Sequence, residues 1–351
     1  MRNLPTTMRG VWLTGHGDTD KLAIREDIPV PIPGTNDVLV KVAAAGVNNT
    51  DINTRIAWYS KNDGAGEDAG WSGQALHFPR IQGADVCGHI VAVGHEVRPD
   101  RIGERVLIEP CIREAKGKIL ETPWYFGSEC DGGFAEYTVV AGRHAHKVTS
   151  TFSDIELASF PCSYSTAENL LTRANVVGNE VVLVTGASGG VGSAAVQLAK
   201  ARGARVIGVT SPSKSDRVWR LGAEQTLSRN DRVVQKLGKD SVDVIVDLVA
   251  GEQWPDLLDV LKPFGRYAAA GAIAGPLVEL DVRTLYLKDL SLFGCTVLDE
   301  GVFKKVVKRI EAQEICPVVS GTFSLYNIVE AQKQFEKKRH VGKLVIDLSL
   351  S

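Results

Sequence analysis

The sequence predicts an α/β protein of two domains, in which a doubly wound parallel sheet follows a mainly β half. A chain of 351 residues is long for a single hydrophobic core, so two domains are expected. Short strand-like segments fill the first part of the chain, and helices alternate with strands from Ser165 onward. A glycine-rich turn in that second part joins a strand to a helix.

The turn GASGGVG, residues 186–192, is the feature around which the rest of the chain is arranged. It follows the apolar run Val181–Val184, which is typical of a strand buried on both faces. After it, small and apolar side chains recur at helical spacing from Val191 to Ala199. Such a turn lets the backbone approach a pyrophosphate, which then faces the N–H groups and the dipole of the helix. Ala187 stands where the first glycine of GxGxxG belongs, so an ordinary strand-to-helix turn is the alternative.

Apolar periodicity predicts the remaining elements. In the second part we expect further strands at Val206–Val209, Val242–Val249, Gly265–Ala270 and Leu290–Val297, and helices at Ser165–Thr172 and Trp254–Leu261. In the first part we expect strands at Gly10–Leu13, Leu22–Asp27, Val38–Ala44, His89–Val93, Arg105–Glu109 and Phe134–Val140. The tail is expected to rejoin the first part, with helices at Val302–Ile310 and Ile328–Phe335 and a strand at Lys343–Asp347. The predicted domains are residues 1–156 with 299–351, as a partly open barrel, and residues 157–298.

Composition and charge exclude several classes of partner. The chain has 40 Lys and Arg against 42 Asp and Glu, a formal net charge of −2, and no basic block that would indicate nucleic acid. No apolar run approaches the roughly 20 residues of a membrane-spanning helix, and no signal-peptide core is present. Six scattered cysteines without a CxxC pair indicate reduced thiols. We expect a cytoplasmic protein, with Met1 and Met8 as possible starts and the first seven residues as a disordered leader.

The polar segment Ile56–Pro79 is long for a loop and carries Trp58, Tyr59 and Trp71. Its aromatic side chains could line a pocket, or they could fix the loop to the barrel. The sequence leaves both interpretations open.

Seven stretches, in this order and spacing, resemble the medium-chain dehydrogenase/reductase superfamily over essentially the full chain. They are AAAGVNNTD (Ala43–Asp51), GADVCG (Gly83–Gly88), DGGFAEY (Asp131–Tyr137), STAENLL (Ser165–Leu171), GASGGVG, LYLKDLSLFG (Leu285–Gly294) and HVGKLV (His340–Val345). The sequence is more similar to the zinc-free, zeta-crystallin-like quinone oxidoreductases and enoyl reductases than to the zinc alcohol dehydrogenases. The resemblance implies a Rossmann domain for the nucleotide and a discontinuous, mainly β GroES-like domain for the substrate.

The resemblance also bears on metal binding. A catalytic zinc in this superfamily requires a cysteine in the first motif, a histidine followed by a glutamate in the second, and usually a later cysteine. The corresponding residues here are Asn48, the pair Ala84 and Asp85, and Cys162. This set does not supply the three good donors that zinc needs, so we expect no metal. The GHE at residues 94–96 lies too far downstream, and the region of the structural zinc keeps only Cys111 and Cys130.

The end of the second predicted strand indicates which dinucleotide is bound. An acidic residue there would bind the ribose of NAD and repel a 2′-phosphate, whereas this chain has Thr210. Ser211, Lys214 and, as a weaker candidate, Arg217 suit the phosphate of NADPH, although a solvated loop is the alternative. The resemblance implies further cofactor contacts at Asn48, Thr166, Ser188, Gly189, Gly190, Val191, Gly271, Gly342 and Lys343. Thr166 could instead cap a helix, and Lys343 could be a solvated strand end.

Reduction of an isolated ketone creates an alkoxide-like charge that zinc normally stabilises as a Lewis acid. Without that ion, the sequence favours quinones and conjugated enones, which disperse the charge themselves. We therefore predict an NADPH-dependent reductase of such acceptors. Asn48 is the expected polar contact to the acceptor or nicotinamide, Tyr59 is a second candidate, and Asp51 is expected to hold the loop.

Two alternative functions remain open at this point. One is an alcohol dehydrogenase that binds zinc through an unforeseen set such as Asp85 and Cys162. The other is an NADPH-binding, crystallin-like protein with little turnover. The resemblance implies a homodimer formed through Leu285–Val297, with a tetramer as the alternative.

Overall fold

The computed structural model describes residues 4–61 and 66–350 of the chain. The strands are β1 (Thr7–Leu13), β2 (Leu22–Pro29), β3 (Asp37–Gly46), β4 (Arg80–Ile81), β5 (Asp85–Val93), β6 (Arg105–Ile108), β7 (Cys111–Ala115), β8 (Lys118–Tyr125), β9 (Tyr137–Ala141), β10 (Ala145–Lys147), β11 (Val181–Val184), β12 (Arg205–Thr210), β13 (Gln225–Ser228), β14 (Val242–Asp247), β15 (Leu261–Ala269), β16 (Ser291–Gly294), β17 (Val319–Ser324) and β18 (Lys343–Asp347). The helices are α1 (Asn49–Arg55), α2 (Asp154–Leu157), α3 (Pro161–Arg173), α4 (Gly190–Ala201), α5 (Ser215–Arg220), α6 (Val233–Leu237), α7 (Trp254–Val260), α8 (Val282–Leu287), α9 (Val302–Glu311) and α10 (Ile328–Glu336).

The chain forms two compact units. The first comprises Met1–Cys162, Val319–Arg339 and Lys343–Ser351, and the second comprises Ser163–Val318 and His340–Gly342. These bounds differ from the predicted domains, because the first boundary follows Cys162 and residues 299–318, with helix α9, group with the second unit.

The first unit is mainly antiparallel β structure. Its larger sheet has the order β10-β6-β5-β3-β18-β17, with β9 also paired to β3, and a smaller sheet has the order β2-β1-β4. Side chains from both sheets and from α10 form one apolar cluster that includes Val40, Phe134, Phe335 and Leu344. Strands β7 and β8 form a separate hairpin. The tail contributes β17, β18 and α10 to this unit; the sequence predicts α10 and β18 but not β17.

The second unit has a parallel sheet in the order β13-β12-β11-β14-β15-β16. Counted along the chain this is 3-2-1-4-5-6, the strand order of a doubly wound nucleotide-binding sheet. The predicted fold class is therefore confirmed. Its core is a second apolar cluster that includes Leu183, Ile245, Leu258 and Tyr267.

Several predicted boundaries were wrong. Helix α3 begins at Pro161 rather than Ser165, because proline is favoured in the first turn of a helix. Helix α7 ends at Val260, and Leu261 already belongs to the next strand, since Pro263 opposes a continued helix. Strand β16 is shorter than predicted.

The amino terminus also differs from the expected leader. Thr7 and Met8 already belong to β1, and Met8 is buried. The first three residues, and residues 62–65 of the Ile56–Pro79 segment, lie outside the described residues. Within residues 4–61 and 66–350, no helix is long and apolar enough to cross a membrane.

Candidate active site

Three side chains meet where strands of the first unit begin and end. Strand β3 pairs with β5 through Gly46 and Asp85, and with β18 through Gly46 and Val345. Asp85 opens β5 and Lys343 opens β18. Asn48 lies two residues after the end of β3 and directly precedes α1. The sheet register therefore brings Asn48, Asp85 and Lys343 together from three distant parts of the chain.

These three residues form a closed triangle of polar contacts. The Asn48 side-chain amide donates to Asp85 Oδ2 at 2.8 Å, and its oxygen accepts from the Lys343 ammonium. Lys343 Nζ lies 2.7 Å from Asp85 Oδ2. The other carboxylate oxygen, Oδ1, accepts from the backbone N–H of Cys162 at 2.5 Å. All three side chains are buried, so a charged pair is held out of water by groups that satisfy it.

Gly46 is required for this arrangement. A Cβ atom at residue 46 would lie 2.5 Å from Asp85 Oδ2 and 2.8 Å from the carbonyl oxygen of Ala158. Any other residue would push the carboxylate away from Asn48 and Lys343.

Asp51 holds the loop that carries Asn48, which is the structural role predicted for it. Its carboxylate accepts from the backbone N–H groups of Asn48 at 2.8 Å and Gly83 at 3.1 Å. Burial raises the pKa of Asp51 to about 7, against the opposing effects of the Asn48 N–H group and the Lys343 charge. The side chain is therefore poised to change protonation near neutral pH.

A small apolar cluster adjoins the triangle. It consists of Ala84, Tyr125 and Cys162, with Trp71 packed against it. The Trp71 and Tyr125 rings are stacked with centroids 4.9 Å apart, and the Tyr125 hydroxyl lies 3.0 Å from Cys162 Sγ. Burial raises the pKa of the Cys162 thiol to about 12. Cys162 is therefore a neutral thiol at physiological pH.

The described part of the Ile56–Pro79 segment is attached to the unit by specific contacts. The Trp71 N–H donates to Ser128 Oγ at 3.2 Å, and the Ser72 N–H donates to Glu129 Oε1 at 2.8 Å. The Tyr59 hydroxyl donates to Thr50 Oγ1 at 3.2 Å, and this side chain is half-buried. These contacts favour the interpretation that aromatic residues fix the loop, and Trp71 also contributes to the cluster around Cys162.

The zinc ion that the superfamily motif would bind does not fit these side chains. A zinc site needs three N, S or O donors directed at one ion. Here both Asp85 oxygens and the Asn48 oxygen accept hydrogen bonds from within the triangle or from Cys162 N–H, and Lys343 already supplies a positive charge. Within the described parts of the chain, no three His, Cys, Asp or Glu side chains are grouped as a metal site.

The second unit contains the predicted glycine turn. Gly186 has φ of +57°, and a Cβ atom at residue 192 would lie 2.2 Å from the Gly186 carbonyl oxygen, so both positions favour glycine. Helix α4 begins at Gly190, with no acidic residue in its first turn. Its first N–H groups have no partner within the helix, which suits a pyrophosphate. Residues 188–191 therefore lie where a dinucleotide backbone would bind.

Gly342 contacts the same turn. Its N–H donates to the carbonyl oxygen of Ser188 at 2.9 Å, and it forms a β-bridge with Gly189. Gly271 lies against the backbone of Leu248, where a Cβ atom would come within 2.8 Å of the carbonyl oxygen. Thr166 is half-buried inside α3, so a helix cap is the wrong interpretation of this residue.

The carboxyl end of β12 carries positive charge and no acidic side chain. Thr210 is buried, and its hydroxyl has no hydrogen-bond partner among the described residues. Lys214 follows in the next turn, and its pKa is lowered by burial and then by the charge of Arg229. Arg229 comes directly after β13, and its N–H donates to the Thr210 carbonyl oxygen at 2.8 Å. Two cations that repel each other at this position suit a bound phosphate. The third candidate, Arg217, lies exposed on α5.

A doubly wound parallel sheet, with a glycine turn between its first strand and the next helix, is typical of a dinucleotide-binding domain. The sequence matches the family described as "Alcohol dehydrogenase GroES-like domain" over residues 34–150, and the family described as "Zinc-binding dehydrogenase" over residues 190–312. The chain belongs to the medium-chain dehydrogenase/reductase superfamily and resembles its quinone oxidoreductase branch. Members of this superfamily bind a nicotinamide cofactor.

Three relatives illustrate the range of this similarity. A solved structure from Sinorhizobium meliloti 1021, provisionally named an alcohol dehydrogenase, is 43% identical with a TM-score of 0.90, covering 99% of this chain and 98% of that chain. The quinone oxidoreductase of Lama guanicoe is 29% identical, covering 97% of both chains. The NAD-dependent alcohol dehydrogenase of Sulfurisphaera tokodaii is also 29% identical, covering 97% of this chain and 99% of the relative.

The sequence did not identify Tyr125 or Arg229 as site residues. Trp124 and Tyr125 form an aromatic pair at the end of β8, shortly before the motif DGGFAEY. Such a pair indicates a strand, but it does not indicate which side chains the tyrosine contacts. Arg229 could have been identified as the first residue after the third strand of the parallel sheet, had β13 been predicted. Asp85 was considered only as an alternative zinc ligand, whereas it forms an ion pair with Lys343.

Proposed function

We propose that this protein is an NADPH-dependent reductase that transfers hydride to a quinone or an α,β-unsaturated carbonyl compound without a catalytic zinc ion. The observation that carries the proposal is the buried triangle of Asn48, Asp85 and Lys343 at the position of the superfamily metal motif. The Lys343 ammonium in this triangle is already neutralised by Asp85, so the site offers a much weaker electrophile than a metal ion. Acceptors that delocalise the charge of the product anion suit such a site.

When bound, the dihydronicotinamide supplies the hydride, and the side chains of this chain orient the acceptor and stabilise the developing oxyanion. Asn48 is the proposed polar contact to the acceptor or nicotinamide, held in place by its two bonds within the triangle. Tyr59 is a second candidate, since burial and the nearby Cys162 and Asp51 raise its pKa and keep it protonated. Water supplies the proton that completes the product.

The proposed cofactor is NADPH rather than NADH. The end of β12 has no acidic side chain to bind the ribose of NAD, and Ser211, Lys214 and Arg229 lie around it. The glycine turn and Gly342 are the proposed contacts to the rest of the dinucleotide. The quinone oxidoreductase relatives support this assignment of reaction class.

An alcohol dehydrogenase is the second candidate, because that name is attached to the 43% identical structure. It would require zinc to be held by a set such as Asp85 and Cys162. The ion pair of Asp85 with Lys343 opposes such a set.

The test is to measure oxidation of NADPH and NADH with a panel of quinones, enones and simple ketones, and the metal content of the same purified protein. We expect turnover with NADPH and the conjugated acceptors, little with simple ketones, and less than 0.1 zinc per chain, on the order of adventitious binding. Stoichiometric zinc with alcohol oxidation would establish the second candidate instead. Tight NADPH binding without turnover of any acceptor would favour a binding protein.

A further inference from the structure

The hydroxyl group of Tyr125 has an unusual environment for a buried phenol. The residue is 5% exposed, and Cys162 Sγ is the only hydrogen-bond partner of the hydroxyl among the described residues. Sulfur is a weak donor and a weak acceptor, so this contact leaves most of the hydrogen-bonding capacity of a phenol unused. A buried hydroxyl without a strong partner is unfavourable unless a ligand completes it.

The ring that carries this hydroxyl is held firmly. The backbone N–H of Tyr125 donates to Glu129 Oε2 at 2.8 Å, and the residue pairs with Cys111 in the β7–β8 hairpin. Trp71 stacks on its ring. A donor that is fixed before the ligand arrives needs no reorganisation during the reaction.

The hydroxyl also keeps its proton in this environment. The Cys162 thiol that it contacts is also neutral, because burial and then the charge of Asp85 raise its pKa to about 12 against the smaller opposing effect of Lys343. Burial and the adjacent Cys162, Asp85 and Tyr59 raise the pKa of Tyr125 well above its ordinary value. The phenol therefore remains a hydrogen-bond donor across the whole working pH range.

We propose that the Tyr125 hydroxyl donates a hydrogen bond to the carbonyl oxygen of the acceptor and stabilises the oxyanion formed on reduction. This inference rests on the proposed function, and it names a catalytic residue for that reaction. Hydride adds to the acceptor carbon, and the displaced π electrons move to the oxygen as an enolate or phenolate. The Tyr125 proton stays on the phenol, and water protonates the product.

The test compares Tyr125→Phe with the wild-type protein. This variant removes one oxygen atom and keeps the ring that stacks on Trp71. We expect kcat for an enone to fall about a hundredfold, as for loss of one oxyanion donor, while the Kd of NADPH is unchanged. The loss should be smaller for a quinone whose product anion is a weaker base, because the hydrogen bond to that anion is weaker. Tyr326→Phe, which removes an exposed hydroxyl bonded to Glu26, is the matched control.

A second measurement does not depend on turnover. The anion 4-nitrophenolate mimics a product oxyanion, and its binding in the presence of NADP⁺ can be followed by absorbance. We expect Tyr125→Phe to weaken this binding about tenfold to a hundredfold, the range for a hydrogen bond to a charged group, with no change in Tyr326→Phe.

The outcomes separate the inference from the proposed function. A wild-type protein that reduces no acceptor would reject the proposed function itself. Wild-type turnover with an unaltered Tyr125→Phe variant would reject only the role of Tyr125. If Cys162→Ala lowered kcat as much as Tyr125→Phe does, the role of Tyr125 would also be rejected. The hydroxyl would then act only by holding the Cys162 thiol in place. A uniform loss with every acceptor, together with unchanged binding of 4-nitrophenolate, would indicate a structural role.

Discussion

Individual residues set the charge at each candidate site. In the first unit, Asp85 neutralises the Lys343 ammonium, and Asn48 bonds to both partners, so a cation is fixed inside the protein. In the second unit, burial lowers the pKa of Lys214, and the charge of Arg229 lowers it further. A bound 2′-phosphate would relieve this repulsion. The two sites therefore use positive charge differently: the Lys343 charge is paired with a carboxylate, whereas the Lys214 charge lies near that of Arg229.

The first prediction concerns Arg229 and the choice of dinucleotide. Replacing Arg229 with alanine should weaken NADPH binding about tenfold, because one charge-assisted hydrogen bond to the phosphate is lost at an exposed position. NADH binding should not change. Parallel fluorescence titrations with the two dinucleotides measure both constants. Arg220→Ala removes an exposed charge from neighbouring α5 and serves as the control. Equal weakening of NADPH and NADH would contradict this assignment of Arg229.

The β7–β8 hairpin is the element that presents Tyr125. His144 fixes its first strand, since Nε2 accepts from the backbone N–H groups of Arg113 at 3.0 Å and Glu114 at 3.1 Å. Because Nε2 is the acceptor, Nδ1 carries the proton and donates to Glu109 Oε2 at 3.2 Å. His146 contacts the same oxygen at 3.2 Å. One carboxylate therefore orients the histidine that anchors the hairpin.

This arrangement predicts how stability depends on pH. Burial alone would raise the pKa of Glu109, but the hydrogen bonds with His144 and His146 outweigh it and hold the pKa at about 2, against an ordinary value of 4.5. The unfolded chain therefore binds more protons between these values, and the stabilisation is present above pH 4.5 and lost as pH falls toward 2. Glu109→Gln should lower the free energy of unfolding by about 2 kcal/mol at neutral pH.

Denaturant unfolding of both proteins across this pH range checks the prediction. The difference between wild type and Glu109→Gln should shrink as pH falls through the window, because protonation makes the wild-type side chain resemble glutamine. Glu121→Gln, at an exposed position on β8, should show little difference at any pH. A Glu109→Gln difference that stays constant in acid would show that the carboxylate charge does not matter.

The same elements show what local sequence could predict. Local sequence predicts the glycine turn, α4 and the strands of the parallel sheet. The signals are apolar periodicity and glycine at positions that favour it, and both are properties of residues that are neighbours in the chain. The triangle of Asn48, Asp85 and Lys343 instead depends on the register of β3 against β5 and β18, between segments far apart in the chain. Its members could be named from the superfamily motifs, but not their ion pair. The Tyr125 contact with Cys162 depends on a hairpin whose short, partly exposed strands carry little apolar periodicity.

At the scale of the molecule, the edge of the parallel sheet is the feature that its own unit leaves unpaired. Strand β16 pairs only with β15 among the described residues, so no described strand covers its other edge. Exposed apolar side chains accompany it, with Tyr286 59% exposed, Leu287 71% and Leu292 37%. An exposed apolar edge strand is an unfavourable surface for a monomer in water. We propose that two copies of the chain pair through β16 as a homodimer.

The last prediction tests this dimer. A twofold interface uses the same surface patch of both subunits, so one new charge on β16 is introduced on both sides of the contact. Leu292→Lys should therefore convert a dimer into a monomer, as measured by light scattering coupled to size-exclusion chromatography. Ile119→Lys, which changes a residue that is 67% exposed on β8, should leave the wild-type mass unaltered. A wild-type protein with the mass of one chain would contradict the pairing, as would a Leu292→Lys variant that remains dimeric. A wild-type mass of four chains would mean that a second interface exists beside the one through β16. Leu292→Lys should then still disrupt the β16 interface and reduce the mass to that of two chains.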